Sequence, residues 1–186
     1  MQTLLLIILA IVVVAALWVI ATYNGFIQLR VKTEEAWSDI DTQLKKRYDL
    51  IPNLVETVKG YASHEDKVFE EVTKARSQAM QATNPQDLAK AENMLSQTLK
   101  SLFAVAENYP DLKANQNFLE LQQTLSFVED DISKSRRYYN GAIKEFNTKI
   151  ELFPSNIIAG FFHFGKKEFF EAEEVERANV KVSFGA

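Results

Sequence analysis

Apolar residues fill every position from 4 to 21 (LLLIILAIVVVAALWVIA), and no charged side chain occurs before Arg30. As a helix this run rises about 27 Å, close to the ~30 Å hydrocarbon core of a bilayer. Thirteen of its residues are Leu, Ile or Val, and at about 0.3 to 0.6 kcal/mol each they favour insertion by roughly 4 to 8 kcal/mol. The run is read as an uncleaved anchor that carries Leu4, Ile11 and Leu17 in the bilayer. Trp18 and Tyr23 sit as interfacial aromatics at the end nearest the polar part of the chain. A cleaved secretory signal would place basic residues ahead of a shorter apolar stretch and a small-x-small site behind it, a pattern these residues do not follow. Arg30 and Lys32 flank the C-terminal end, so the charge bias favours an outward N-terminus and a cytoplasmic body.

Beyond Asn24 and Gly25, which read as a flexible joint, apolar residues recur at helical spacing, punctuated by Pro52, Pro85 and Pro110. Four amphipathic helices follow from this pattern. The first, over 26–50, aligns Trp37, Ile40, Leu44 and Tyr48. Proline disfavours the α region at Ile51, so a turn is expected there. The second, over 52–83, aligns Leu54, Val58, Tyr61, Val68, Val72, Ala75 and Ala79. The third, over 85–108, carries Leu88, Leu95, Leu99, Leu102 and Ala106 behind Asn84 as its N-cap. The fourth, over 111–152, carries Phe118, Leu125, Ile132, Tyr139, Ile143, Phe146 and Ile150. The predicted fold is all-α: an N-terminal transmembrane helix followed by an up-and-down four-helix bundle with long helices. The chain then divides into an anchor (1–25), the bundle (26–153) and a Phe-rich C-terminal segment (154–186).

Six of the 13 phenylalanines lie between positions 153 and 170. One reading folds this segment over an end of the bundle to complete its core. The other makes Phe161, Phe162, Phe164, Phe169 and Phe170 an interaction surface for a partner or a membrane, with Lys166 and Lys167 at headgroup level. An acidic run follows at Glu171, Glu173, Glu174 and Glu176, and the alternation of Val180, Val182 and Phe184 with polar residues suggests a short strand.

Composition narrows the chemistry. The chain of 186 residues has a net charge of -4, without the positive excess that nucleic-acid binding requires. It contains no cysteine and only two histidines, His64 and His163, which removes thiolate chemistry and leaves few metal or acid-base candidates. Extending the apolar seams brings Glu65, Glu92, Glu129 and Arg136 to positions that should be buried. With Arg47, Asp49 and Arg76 they form a candidate buried polar network, because a carboxylate desolvated without a partner costs several kcal/mol. The alternative is a metal-binding or catalytic carboxylate site built from Glu65, Glu92 and Glu129. Di-iron bundles also need Glu-x-x-His on two helices, whereas Tyr61 and Gly160 stand three residues before the histidines. Phosphate-loop, dinucleotide and nucleophile-elbow patterns are missing as well. The expectation is a protein that is not an enzyme and holds no cofactor or metal.

A set of short words recurs in a specific order: YN at 23–24, RYDLIPNL at 47–54, VKGY at 58–61, ENYPDL at 107–112, NF at 117–118, RYYN at 137–140 and FFE at 169–171. In these the chain resembles the LemA family along nearly its whole length. The resemblance implies a single-pass protein of the bacterial cell (inner) membrane with a soluble helical bundle, and it carries over no catalytic residues. The resemblance also implies genes that often lie beside those of membrane metalloproteases or of small secreted domains of the TPM type, which suggests envelope maintenance. The expected function is therefore that of a membrane-tethered scaffold or adaptor. Its expected partners are the lipid bilayer and either its own copies or other envelope proteins.

Overall fold

The computed structural model describes residues 1–170, among which six helices occur: α1 (Gln2–Lys59), α2 (Asp66–Gln81), α3 (Pro85–Ala106), α4 (Pro110–Lys113), α5 (Gln116–Glu151) and α6 (Ser155–Phe161). The acidic run and the strand expected at 180–184 lie outside the described residues. Contacts group the described residues into two units, one of Met1–Ile40 with Ser135–Glu168, the other of Asp41–Lys134 with Phe169 and Phe170.

The unit of Asp41–Lys134 is a four-helix bundle made by the C-terminal part of α1, α2, α3 and the N-terminal part of α5. Connections at 60–65, 82–84 and 107–115 reverse the chain between them. Its core takes Leu44, Ile51, Leu54 and Val58 from α1 and Phe69, Val72, Ala75 and Ala79 from α2. Leu88, Leu95, Leu99 and Leu102 of α3 and Phe118, Leu125 and Ile132 of α5 are buried as well. Asn84 caps α3 by accepting from the Asp87 amide at 2.8 Å, and Asn115 does the same for α5 through the Phe118 amide at 3.0 Å. Each side chain satisfies one of the orphan donors of a first helical turn.

The turn expected at Pro52 does not form. Pro52 lies inside α1, which runs on to Lys59, so the break comes at Gly60 and α2 begins only at Asp66. A proline in a helix interior leaves the carbonyl four residues earlier without its amide donor, and here that carbonyl belongs to Tyr48. Arg76 on α2 takes the vacant place, its Nε donating to the Tyr48 carbonyl oxygen at 2.8 Å. The helix thus continues because a neighbouring helix repairs it, which no local pattern announces. Tyr61, expected on the apolar seam, falls in the break, is 41% exposed, and accepts a hydrogen bond from Asn115 Nδ2 at 2.9 Å.

In the unit of Met1–Ile40 and Ser135–Glu168, α1 also continues through Asn24 and Gly25, where a flexible joint was expected. The space beside the glycine is filled by Lys149 Nζ, the movable end of that side chain, whose ammonium lies 5.0 Å from the centre of the Phe26 ring. Phe26, Phe146, Ile158 and Ala159 form the core of this unit, with Val19, Leu29, Ile150 and Phe164 against it. Residues 4–21 are exposed at every position except Val19.

Candidate functional site

Two places concentrate chemistry. The first lies within the four-helix bundle. Arg47 and Glu92 are almost wholly buried, at 1% and 0% side-chain exposure, and pair at 2.6 Å between Nη1 and Oε2. The Tyr48 hydroxyl donates to the other oxygen, Glu92 Oε1, at 2.5 Å. Arg47 Nη2 donates to Ser96 Oγ at 2.8 Å, and its Nε faces Glu129 Oε1 at 2.9 Å. One guanidinium thereby donates to Glu92 and Ser96 and pairs by charge with Glu129, three groups from two other helices, a use for which its planar geometry suits it better than lysine. Both charges are compensated, as deep burial requires.

Of the residues expected in this network, the structure joins Arg47, Glu92 and Glu129. Asp49 is exposed and lies outside the network. Glu65 stands at the N-cap position of α2 without a side-chain capping bond and outside the seam where it was placed. Arg76 bonds a backbone carbonyl instead of a carboxylate, and Arg136 is half-buried on α5. Among the described residues no group of three or more His, Asp or Glu side chains is arranged to hold a metal ion. Tyr48 and Ser96 were missed. Ser96 had a readable signal, since it lies four residues after Glu92 and hence on the same helix face.

The second place is the end of the apolar run. After α6 the chain turns through His163, whose φ of 59° is left-handed. The Phe164 amide donates to the Ala159 carbonyl at 2.9 Å and the His163 amide to Gly160 at 3.3 Å, the two bonds of a Schellman C-cap. That turn stacks Phe164 on Phe26, with ring centres 4.8 Å apart, and sets Phe162 against Tyr23 at 4.7 Å. Asn147 then holds the stretch that follows with a pair of bonds to Lys167: Nδ2 donates to its carbonyl at 2.9 Å, and Oδ1 accepts from its amide at 2.9 Å. Lys167 Nζ donates to Thr33 Oγ1 at 2.7 Å. Burial lowers the Lys167 pKa below the ordinary lysine value, partly offset by Glu34, and burial lowers that of Lys149 too. The hydrogen bond to Glu145 raises that of Lys32. Tyr139 donates to the Glu168 carbonyl at 3.1 Å, and burial, aided by the Glu168 charge, raises its pKa.

The five phenylalanines therefore divide. Phe164 belongs to the core of this unit and Phe170 is 3% exposed, so neither offers a surface. Phe161 at 75%, Phe162 at 41% and Phe169 at 40% remain open. Of the anchor residues, Leu4, Ile11, Leu17 and Trp18 are exposed, while Tyr23 is half-buried under Phe162. α1 is long and apolar enough to cross a membrane, with a mean hydropathy of 3.3 over its most apolar window.

Comparison with known proteins gives a consistent picture. The family model described as "LemA family" matches residues 36–184. Protein LemA of Metamycoplasma hominis is 28% identical over 86% of this chain and 74% of its own length. Magnetosome protein MamQ 2 of Paramagnetospirillum magneticum is 23% identical over 80% of this chain, and Magnetosome protein MamQ of Magnetospirillum gryphiswaldense 21% over the same share. The chain spans 64% of the length of each of these two magnetosome proteins.

Proposed function

As the chain belongs to the LemA family, we propose that it is a single-pass, non-enzymatic scaffold or adaptor of the bacterial cytoplasmic membrane that works by associating with itself or with other envelope proteins. The observation that carries this reading is the apolar run at 4–21, which among the described residues is exposed at every position except Val19 and lies in the same helix as residues 44–58. An exposed apolar surface of this size needs another phase or another protein to cover it. The charged side chains buried in the bundle are spent on one another in Arg47, Glu92 and Glu129, which supports a structural use for them. Relatives named as magnetosome proteins favour a part in an assembly over a free-standing catalyst.

In this reading the body faces the cytoplasm, with Arg30 and Lys32 beside the inner membrane surface. The absence of cysteine makes the test clean. Ser101→Cys, on the exposed face of α3, should react with a membrane-impermeant maleimide only after cells are permeabilised, and labelling of intact cells reverses the orientation. Crosslinking of the full chain in native membranes should return fixed-site peptides from a second copy or from another envelope protein. A chain that stays monomeric and uncrosslinked at native abundance overturns the scaffold reading.

A further inference from the structure

The span is not free along its whole length. Val19, inside the apolar run, packs against the cluster that contains Ile158 and Ala159 of α6, and two residues past the end of the run the Tyr23 ring meets Phe162. The Phe162 ring in turn lies 5.0 Å from that of Phe161. α6 is therefore held against the last turns of the segment that would occupy the bilayer. Its inner face, Ile158 and Ala159, is buried, whereas Ile157 and Phe161, four residues apart and on one face, are 59% and 75% exposed. Leu152 at 56% and Phe153 at 79% lie just before it. A cation borders this apolar group: Lys166, which pairs with Glu151 on the surface.

We propose that α6 is a second membrane contact, lying in the interfacial layer of the bilayer that α1 crosses, with Ile157, Phe161 and Phe153 in the acyl boundary and Lys166 at the phosphates. This rests on the reading of α1 as a membrane span. What selects lipid as the occupant is continuity, since α6 is packed on Val19 and Tyr23 and so sets its exposed residues beside the end of the exposed apolar run of α1. Charge adds to it, because a cation such as Lys166 beside an apolar face suits an anionic headgroup layer. The chain would thus be fixed in depth by two elements.

Nitroxide depth measurements on the full-length protein in vesicles of phosphatidylethanolamine and phosphatidylglycerol test this. Gly160→Cys suits the label, because a side chain added there meets nothing within 4 Å and no apolar residue is lost. Its collision ratio for oxygen over an aqueous nickel complex should lie several-fold above that of Ser101→Cys and below that of Leu9→Cys. The double change Ile157→Ser with Phe161→Ser should bring the Gly160 label to the aqueous ratio while Leu9 stays deep. An aqueous ratio at 160 with Leu9 buried in lipid overturns the proposal and leaves the anchor standing, whereas an aqueous ratio at Leu9 overturns both. A label at 160 shielded from both quenchers means that protein covers the site, which also overturns it.

Discussion

Replacing Arg76 by Met tests why α1 survives its proline. The substitution keeps most of the side chain's length and removes the donor to the Tyr48 carbonyl, the acceptor that Pro52 leaves without an amide. A hydrogen bond from a charged donor contributes about 1.5 to 3 kcal/mol, and a partly buried carbonyl left unmatched costs about as much. The expected loss is therefore ~2 kcal/mol, which for a chain of this size lowers Tm by roughly 4 to 8 °C. Pro52→Ala supplies the missing amide, so in that background the same Arg76→Met change should cost less than about 1 kcal/mol. The difference between the two losses is the coupling energy of a double-mutant cycle. Thermal and urea unfolding of the full chain in detergent, followed by far-ultraviolet circular dichroism, reads all four proteins. Equal losses with Pro52 in place and after the Pro52→Ala change would refute the repair, showing Arg76 to act through some other contact.

Three further outcomes follow from the same physics. Arg47→Met strands the fully buried Glu92 carboxylate and should cost about 3 to 5 kcal/mol, whereas Arg47→Met with Glu92→Leu should recover most of that loss in the same unfolding assay; additive losses would contradict the network. Asn147→Ala removes both bonds to the Lys167 backbone and should cost about 1 to 3 kcal/mol locally, seen as faster amide hydrogen exchange at 164–168 with exchange at 88–102 unchanged. Tyr139 has its folded pKa raised above the ordinary 10.0 by burial, so its contribution is complete below pH 10 and falls away as pH rises through the folded value. A late-titrating tyrosinate absorbance should therefore vanish in Tyr139→Phe, and that variant should lose less stability than the parent between neutral and strongly alkaline pH.

Family membership is legible in the words at 47–54, 107–112 and 137–140, as is the bundle, because a 3.6-residue rhythm of Leu, Ile, Val and Phe states which face of each helix is buried. Leu88 to Leu102, Leu125 and Ile132 are all buried as that rhythm requires. Asn84 was likewise readable as a cap, since capping depends on residues three apart. The polar network was only half legible. A seam position can show that Glu92 must be compensated, yet its partner Arg47 is 45 residues away in sequence, and for that guanidinium the neighbouring Asp49, which the helix turns outward, is an equally good partner by sequence alone.

What the sequence by itself determined were the features set by local periodicity and composition: the apolar run, the helices, their inward faces and the exclusion of cysteine chemistry. What only the tertiary structure decided were the features that depend on distant neighbours. Pro52 reads as a turn because the missing amide is a local fact, while the guanidinium of Arg76 that replaces it arrives from another helix. Gly25 reads as a hinge because glycine is locally permissive, while the lysine that fills the space beside it comes from α5. The phenylalanines of the tail look alike in a list of residues; the Schellman turn at His163 sends Phe164 into the core and leaves Phe161 outside it. Chain geometry sorts identical side chains into core and surface, and it does so through contacts that no window along the chain contains.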